Sequence, residues 1–421
     1  MPHFAVMMKW YRLALFNLVV LAALGLLLRY KISFPLEIFE QKNILHAHSH
    51  FAFSGWLSFI LQLLVLNKFT TDYEKNLRFW HRFFTVSTVI NYGMIVSFIW
   101  VGYTGMSIAL STLTLFLSYI FIFKIFKALP LSDNSKISVA FLKASLWFLV
   151  LSSLGSYALA LVIATKSTHQ YWYHNALYFF LHFQYNGWFT FAVLAFFIKS
   201  LERSAAFNLK HARRFFMLLA VTCIPSYLFT SLWHQRPIVI TTIIIITAVV
   251  QTCSLYYLFQ LLYKNTKHVF AQMPVICKWL YSLAILAFVL KILLQLLSGY
   301  PQLGQLAFGF RPIIIGYLHL IFLAFITMYL IALLADLKII DLNYRITSFG
   351  LITFAAGIII NEILLAIQGL AAISYIYLPQ INLWLFGNTF ILLAGAILLF
   401  IASGKKDNAT HYSSKSIFNF K

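Results

Sequence analysis

The sequence predicts an all-α polytopic integral membrane protein, a single bundle of about twelve transmembrane helices. Three observations carry this. Hydrophobic residues make up 62% of the 421 residues and charged residues only 10%, with a mean hydropathy of +0.86. A soluble domain of this size carries far more charge. The apolar residues come in runs long enough to cross a bilayer, which takes about 20 residues. Lys and Arg then gather in alternate gaps between those runs, the signature of a chain threaded back and forth through a membrane.

Taken in order, the candidate spans cover about 10–29, 45–66, 84–103, 104–127, 139–165, 171–198, 213–233, 237–262, 277–298, 311–335, 346–369 and 382–402. The first has no small-residue cleavage site behind it and reads as a retained helix, not a signal peptide. The third and fourth meet at Gly102-Tyr103-Thr104-Gly105, a tight turn. The eighth contains the β-branched stretch Ile238 to Ile246, which would favour a strand in water. In lipid every backbone group must be bonded within the segment, so helix is the consistent assignment. No internal repeat, Gly/Ser linker or soluble domain is apparent. Residues 1–403 read as one transmembrane domain and 404–421 as a polar, flexible cytoplasmic tail.

The net charge of +21 is a topology signal, not a nucleic-acid footprint. Of 31 Lys and Arg residues, 24 fall in segments on the N-terminal side, 6 on the other side and one, Lys291, inside a span. The excess predicts both termini in the cytoplasm of a prokaryotic cell, with attraction to anionic lipid. Cys223, Cys253 and Cys277 fall in or beside apolar segments and form no CxxC pair. They read as buried structural thiols, and the absence of CxxCH excludes attached c-type heme.

The second span opens on Leu45-His46-Ala47-His48-Ser49-His50 and continues through Phe51-Ala52-Phe53-Ser54-Gly55-Trp56. Intramembrane histidine is costly and marks metal or heme ligation, a proton relay or a polar helix contact. At about 100° per residue, His46 and His50 share a face and His48 points the other way, so the three cannot bind one ion. They either ligate a heme or metal within the bundle or cap a helix end at the interface. His174 and His182 fall in the outer half of the sixth span, His234 at the outer end of the seventh, and His319 in the outer half of the tenth. At 1.5 Å per residue, His319 is about 12 Å below Arg311 and His182 about 16 Å below Tyr171. Histidines from four helices thus share one depth. His3, His81, His169, His211, His268 and His411 fall in termini or loops and read as surface residues.

Twelve spans with histidines on the second, sixth, seventh and tenth resemble subunit I of the heme–copper oxidases, and also the NnrS family of heme-containing membrane proteins. His48 with Gly55-Trp56 resembles the family's low-spin heme histidine and Gly-aromatic pair. Gly316-Tyr317-Leu318-His319 resembles its Gly-His-x-His: His319 occupies the low-spin heme position and Tyr317 replaces the high-spin ligand. Where the family uses one histidine and then an adjacent pair for copper, this chain has His182 and a single His234 followed by Gln235. The resemblance implies one low-spin heme b, held by His48 and His319, without the oxygen-reducing centre. An NnrS-style motif admits His50 in place of His48. The implied role is electron transfer, or sensing or handling of a small redox ligand such as NO, with a redox partner subunit or a quinol as partner.

A repurposed pocket would hold one copper or zinc ion on His182, His234 and a nearby tyrosine. His174, Tyr178, His182 and Tyr185 form a stripe at helical spacing that serves such a site or a polar seam between helices. Arg236 and Arg311 at the outer rim suit heme propionates, or act as interfacial anchors. Lys291 and Glu362 each lie about 10 Å from the outer end of their span, and a lone charge there is expensive, so they are expected to pair. The competing class is a proton or metal-ion transporter or channel that uses these histidines and the Lys291–Glu362 pair.

Overall fold

The computed structural model describes residues 2–130, 133, 136–165, 169–231, 237–271 and 273–404. Among these the only regular structure is helical. The long helices are α1 (Pro2–Ser33), α2 (Gln41–Phe69), α3 (Leu77–Val101), α4 (Gly105–Ala128), α5 (Ile137–Ala164) and α6 (170–201). They continue with α7 (Leu209–Cys223), α8 (Ile238–Asn265), α9 (Val275–Ser298), α10 (Arg311–Asp336), α11 (Arg345–Ile373) and α12 (Ile381–Gly404). Ten of them are long and apolar enough to cross a membrane. The two that fall short are α6 and α7. The first has the length, but Gln184, Asn186 and Lys199 dilute its apolar character. The second ends after 15 residues and passes into the 3₁₀ turns Pro225–Ser231.

The surface fits lipid. Val89, Trp100, Phe116, Leu161, Val221 and Trp279 are exposed side chains in the middle or at the ends of apolar helices. Water would not tolerate so much bare hydrocarbon, whereas acyl chains do. Cys253 belongs to this outer surface, which corrects the expectation of three buried thiols. Only Cys223 and Cys277 are buried. The helix ends behave as read from sequence at two places. Gly102 has φ +65°, terminates α3 and turns the chain into α4, where Thr104 and Ser107 form a capping box. The isoleucine-rich stretch is the start of α8, an uninterrupted helix.

Two compact units can be told apart. The first comprises Met1–Pro130, Leu330–Leu364 and Leu378–Lys421, and the second Leu131–Tyr329 and Leu365–Tyr377. In the first, α1 packs along α12, and α2 lies between α1 and α3. Glycines let α11 and α12 touch: a Cβ on Gly395 would stand 2.7 Å from the Phe354 backbone. Small residues at such crossings replace the hydrophobic drive that is absent in lipid. In the second, α5 packs along α6, α7 along α8, and α9 along α10. Gly155 of α5 plays the same part, since a Cβ there would meet the Phe180 backbone nitrogen at 2.4 Å. Glu202, just past α6, caps the start of α5 by accepting from the Ser138 amide at 2.9 Å and the Ser138 hydroxyl at 2.6 Å. That carboxylate also meets the positive end of the α5 dipole. The tail, 405–421, lies outside the described residues.

Candidate functional site

Three helices change winding immediately after a histidine. In α2 a π-helical segment spans Phe51–Ser58 and is preceded by His50. In α6 one spans Phe183–Phe189 and is preceded by His182. In α10 one spans Leu320–Thr327 and is preceded by His319. π-Helical turns are rare and concentrate at functional sites. The sequences agree as well as the windings do. His50-Phe51-Ala52-Phe53-Ser54-Gly55-Trp56-Leu57-Ser58-Phe59 aligns without a gap on His182-Phe183-Gln184-Tyr185-Asn186-Gly187-Trp188-Phe189-Thr190-Phe191. The third copy, His319-Leu320-Ile321-Phe322-Leu323-Ala324-Phe325-Ile326-Thr327, keeps the histidine, the aromatic third after it, the small residue, the second aromatic and the hydroxyl. The chain therefore does contain an internal repeat, contrary to the first reading, and its copies fall on α2, α6 and α10, four helices apart.

The repeat explains its own winding. A π turn shifts backbone bonding from i→i+4 to i→i+5 and leaves carbonyls to be met by side chains. In the first unit, Asn17 of α1 donates to the Gly55 carbonyl at 2.7 Å, and Asn91 of α3 donates to the Ser54 carbonyl at 3.4 Å. In the second, Thr190 donates to the Tyr185 carbonyl at 2.6 Å. The small residue is required by crowding. A Cβ on Gly55 would lie 2.5 Å from the Phe51 ring, and one on Gly187 would lie 2.4 Å from the Phe148 Cβ. Trp56 and Trp188 anchor the segments and are buried at 1% and 0% exposure.

The α2 histidines separate as helical geometry requires. The His50 ring stacks on Phe98 with centroids 4.5 Å apart, and His46 lies 5.1 Å from the Tyr103 ring. Both face α3 and its following turn. His48 faces α1 instead, where a Cβ on Gly25 would stand 3.4 Å from its Cε1. On α10 the His319 Nδ1–H donates to the Ile315 carbonyl at 2.8 Å. This bond sets the tautomer and places the ring's lone pair on Nε2.

His182 is held differently. Its Nε2–H donates to the Cys223 carbonyl at 2.8 Å, and Asn186 Nδ2 donates to its Nδ1 at 3.1 Å. A metal on His182 would displace one of these bonds. His174 stacks on Tyr178 at 6.0 Å. Among the described residues no three His, Cys, Asp or Glu side chains converge as a metal site. His234 and Arg236 lie outside the described residues. Of the stripe 174–178–182–185, His182 lies 6.1 Å from the Tyr185 ring, which meets Tyr317 at 6.5 Å and Phe322 at 6.0 Å on α10. Arg311 is exposed at the first turn of α10. His81 and His211 lie near the starts of α3 and α7, not in loops.

Lys291, on α9, is 3% exposed. Its ammonium lies 5.9 Å from the centroid of the Phe288 ring, one turn away on the same helix. Glu362, on α11 in the first unit, is half-buried and accepts from Asn361 Nδ2 at 3.1 Å. Fold and site together define an all-α polytopic membrane protein with histidines at three winding changes. No protein-family model matches the chain, and no curated protein matches it.

Proposed function

We propose that this chain is a heme-binding integral membrane protein, with His319 and His48 as the residues that would ligate one b-type heme. The observation that carries the reading is the Nδ1–H bond of His319 to the Ile315 carbonyl. A metal-bound histidine commonly donates its other ring N–H to a carbonyl in this way. Of the α2 histidines His48 is the candidate ligand, because His46 and His50 are committed to the aromatic rings of Phe98 and Tyr103, while Gly25 removes bulk beside the His48 ring. His50 remains the rival by register, since it is the repeat counterpart of His319. Arg311, with Arg236, supplies guanidinium groups for propionates. When bound, the heme supplies one-electron transfer or a site for a small redox ligand such as NO. The chain's own residues fix the imidazole tautomer and exclude water with buried tryptophans and phenylalanines. Partners are the lipid bilayer and a redox subunit or quinol. The location is the cytoplasmic membrane of a prokaryote, with both termini inside.

The visible spectrum of the purified protein with and without dithionite tests the reading. A reduced low-spin b-type spectrum is expected, lost in His319→Ala and His48→Ala and retained in His50→Ala and His169→Ala. Loss in His50→Ala with retention in His48→Ala would transfer the ligand to the repeat position. No heme absorbance in the wild type refutes the proposal. The transporter reading, which draws on Lys291 and Glu362 inside apolar helices, then takes first place and is measured as proton-coupled flux in liposomes.

A further inference from the structure

The crossing of α11 and α12, in the first unit, gathers oxygen acceptors beside one carboxyl group. Three glycines fix the register of that crossing. A Cβ on Gly350 would stand 3.3 Å from the Leu399 amide nitrogen, one on Gly395 would stand 2.7 Å from the Phe354 backbone, and one on Gly357 would stand 3.2 Å from the Leu392 amide nitrogen. The helices therefore run antiparallel, and each step forward along α11 matches an equal step back along α12. One turn beyond Gly357 and Leu392, this register sets Asn361 opposite Asn388. A hydrogen bond agrees with it. Asn388 Nδ2 donates to the Gly357 carbonyl at 2.9 Å, and in an α-helix that carbonyl also takes the Asn361 amide. Asn361 and Asn388 are 4% and 3% exposed.

Both carboxamides are oriented by the groups they donate to. Asn388 Nδ2 faces the Gly357 carbonyl, and Asn361 Nδ2 donates to Glu362 Oε1 at 3.1 Å. Flipping either amide would set oxygen against oxygen, so each Oδ1 is left as an acceptor. The Asn388 Oδ1 is buried and accepts no hydrogen bond from the described residues. Glu362 adds a carboxyl group inside an apolar helix and makes no ion pair with the described residues of its unit. A carboxylate in such surroundings is costly unless a cation meets it, and an orphaned amide oxygen adds to the cost. An ordered water would satisfy Asn388 but would leave the charge.

We propose that Asn388 Oδ1, Asn361 Oδ1 and the Glu362 carboxylate form a site for a sodium ion. The donor set is oxygen alone, which suits a hard cation and not copper or zinc. One carboxylate balances one charge, whereas a divalent ion would leave an uncompensated charge in apolar surroundings. The glycine contacts hold the two helices close, which disfavours a larger ion such as potassium. The inference goes beyond the heme reading and does not depend on it.

The test uses the purified full chain in detergent at about pH 8, where protons compete less for a carboxylate, with heme content recorded. Thermal unfolding is followed by tryptophan fluorescence across a titration of sodium chloride, balanced with choline chloride at constant ionic strength. A saturable rise in Tm is expected, because the ion binds the folded chain. Glu362→Gln should abolish it. Asn388→Ala should weaken apparent sodium affinity about tenfold, the loss of one ligand oxygen. Asn17→Ala, destabilised elsewhere in the same unit, should keep the response. If Glu362→Gln does not fold, Asn388→Ala decides. A Tm unchanged by sodium overturns the proposal in favour of a protonated carboxyl group. An equal rise in potassium chloride overturns it too, because a general salt effect then suffices. Wild-type sodium affinity in Asn388→Ala, or loss of the response in Asn17→Ala, overturns the assignment to this crossing.

Discussion

Replacing Asn17 with alanine should loosen the first unit through a single peptide carbonyl. Asn17 is 0% exposed. Its Nδ2 donates to the Gly55 carbonyl at 2.7 Å, and its Oδ1 accepts from the Tyr92 hydroxyl at 2.9 Å. One side chain thus ties α1 to the π segment of α2 and to α3. Alanine leaves the Gly55 carbonyl without its side-chain donor in a dry site, at about 1–3 kcal/mol. Tyr92 is only half-buried, so its hydroxyl reorients at about 1 kcal/mol or less. The expected sum is about 1–4 kcal/mol. The assay is SDS-driven unfolding in mixed micelles, followed by tryptophan fluorescence, because Trp56 lies in the affected segment. Tyr92→Phe is the internal comparison and should cost about 1 kcal/mol. If Asn17→Ala is within about 0.5 kcal/mol of wild type, the carbonyl is being satisfied by other means. If Tyr92→Phe costs as much as Asn17→Ala, the stabilisation resides in the hydroxyl bond and the account of the π segment is wrong.

Three further outcomes are expected. Gly102→Ala should lower stability by about 1–2 kcal/mol, because φ is +65° and a Cβ would meet Asn43 Oδ1 at 2.6 Å. Unchanged unfolding would mean that the turn re-forms. Glu202→Ala should cost about 1–2 kcal/mol by uncapping α5, and Glu202→Gln should recover part of it. If alanine and glutamine behave alike, the cap is not what the glutamate contributes. A phosphatase fused after Lys421 should be inactive and a fluorescent protein bright if the C-terminus lies inside, as the Lys and Arg excess predicts. An active phosphatase would reverse the assignment of inner and outer sides.

Much of the fold was legible because lipid simplifies the choice. Backbone groups in hydrocarbon must bond within their own segment, so composition alone made the β-branched start of α8 helical. Gly102 declared its turn because few other residues adopt that φ. The sixth and seventh helices were legible as helices, but Gln184 and Asn186 make α6 more polar than its neighbours. The opposite faces of His48 and the His46–His50 pair followed from 100° per residue. The π segments did not follow, because a template of 3.6 residues per turn carries no i→i+5 option. Their cause is also remote in sequence: Asn17 reaches Gly55 from another helix. A signal was nevertheless present. Comparing the chain with itself puts His50–Phe59 on His182–Phe191 without a gap, and the tenth helix then follows. The exposure of Cys253 was not legible, since a thiol suits a lipid-facing surface as well as a core.

The winding change after His50, His182 and His319 has a further consequence for how such a protein can vary. A π turn amounts to one extra residue in an α-helix, and one residue is about 100° of rotation. The stretch before the histidine and the stretch after the segment are therefore set at independent angles along one rod. The C-terminal half of α2 can keep its lipid-facing and packing faces while the histidine end is aimed separately. Deleting Ala52 would merge the two phases and swing His46, His48 and His50 about a quarter turn away from their neighbours, with no change in composition. The three segments act as fixed joints, and their shared position after a histidine makes aim, more than the presence of imidazole, the quantity that this chain holds constant.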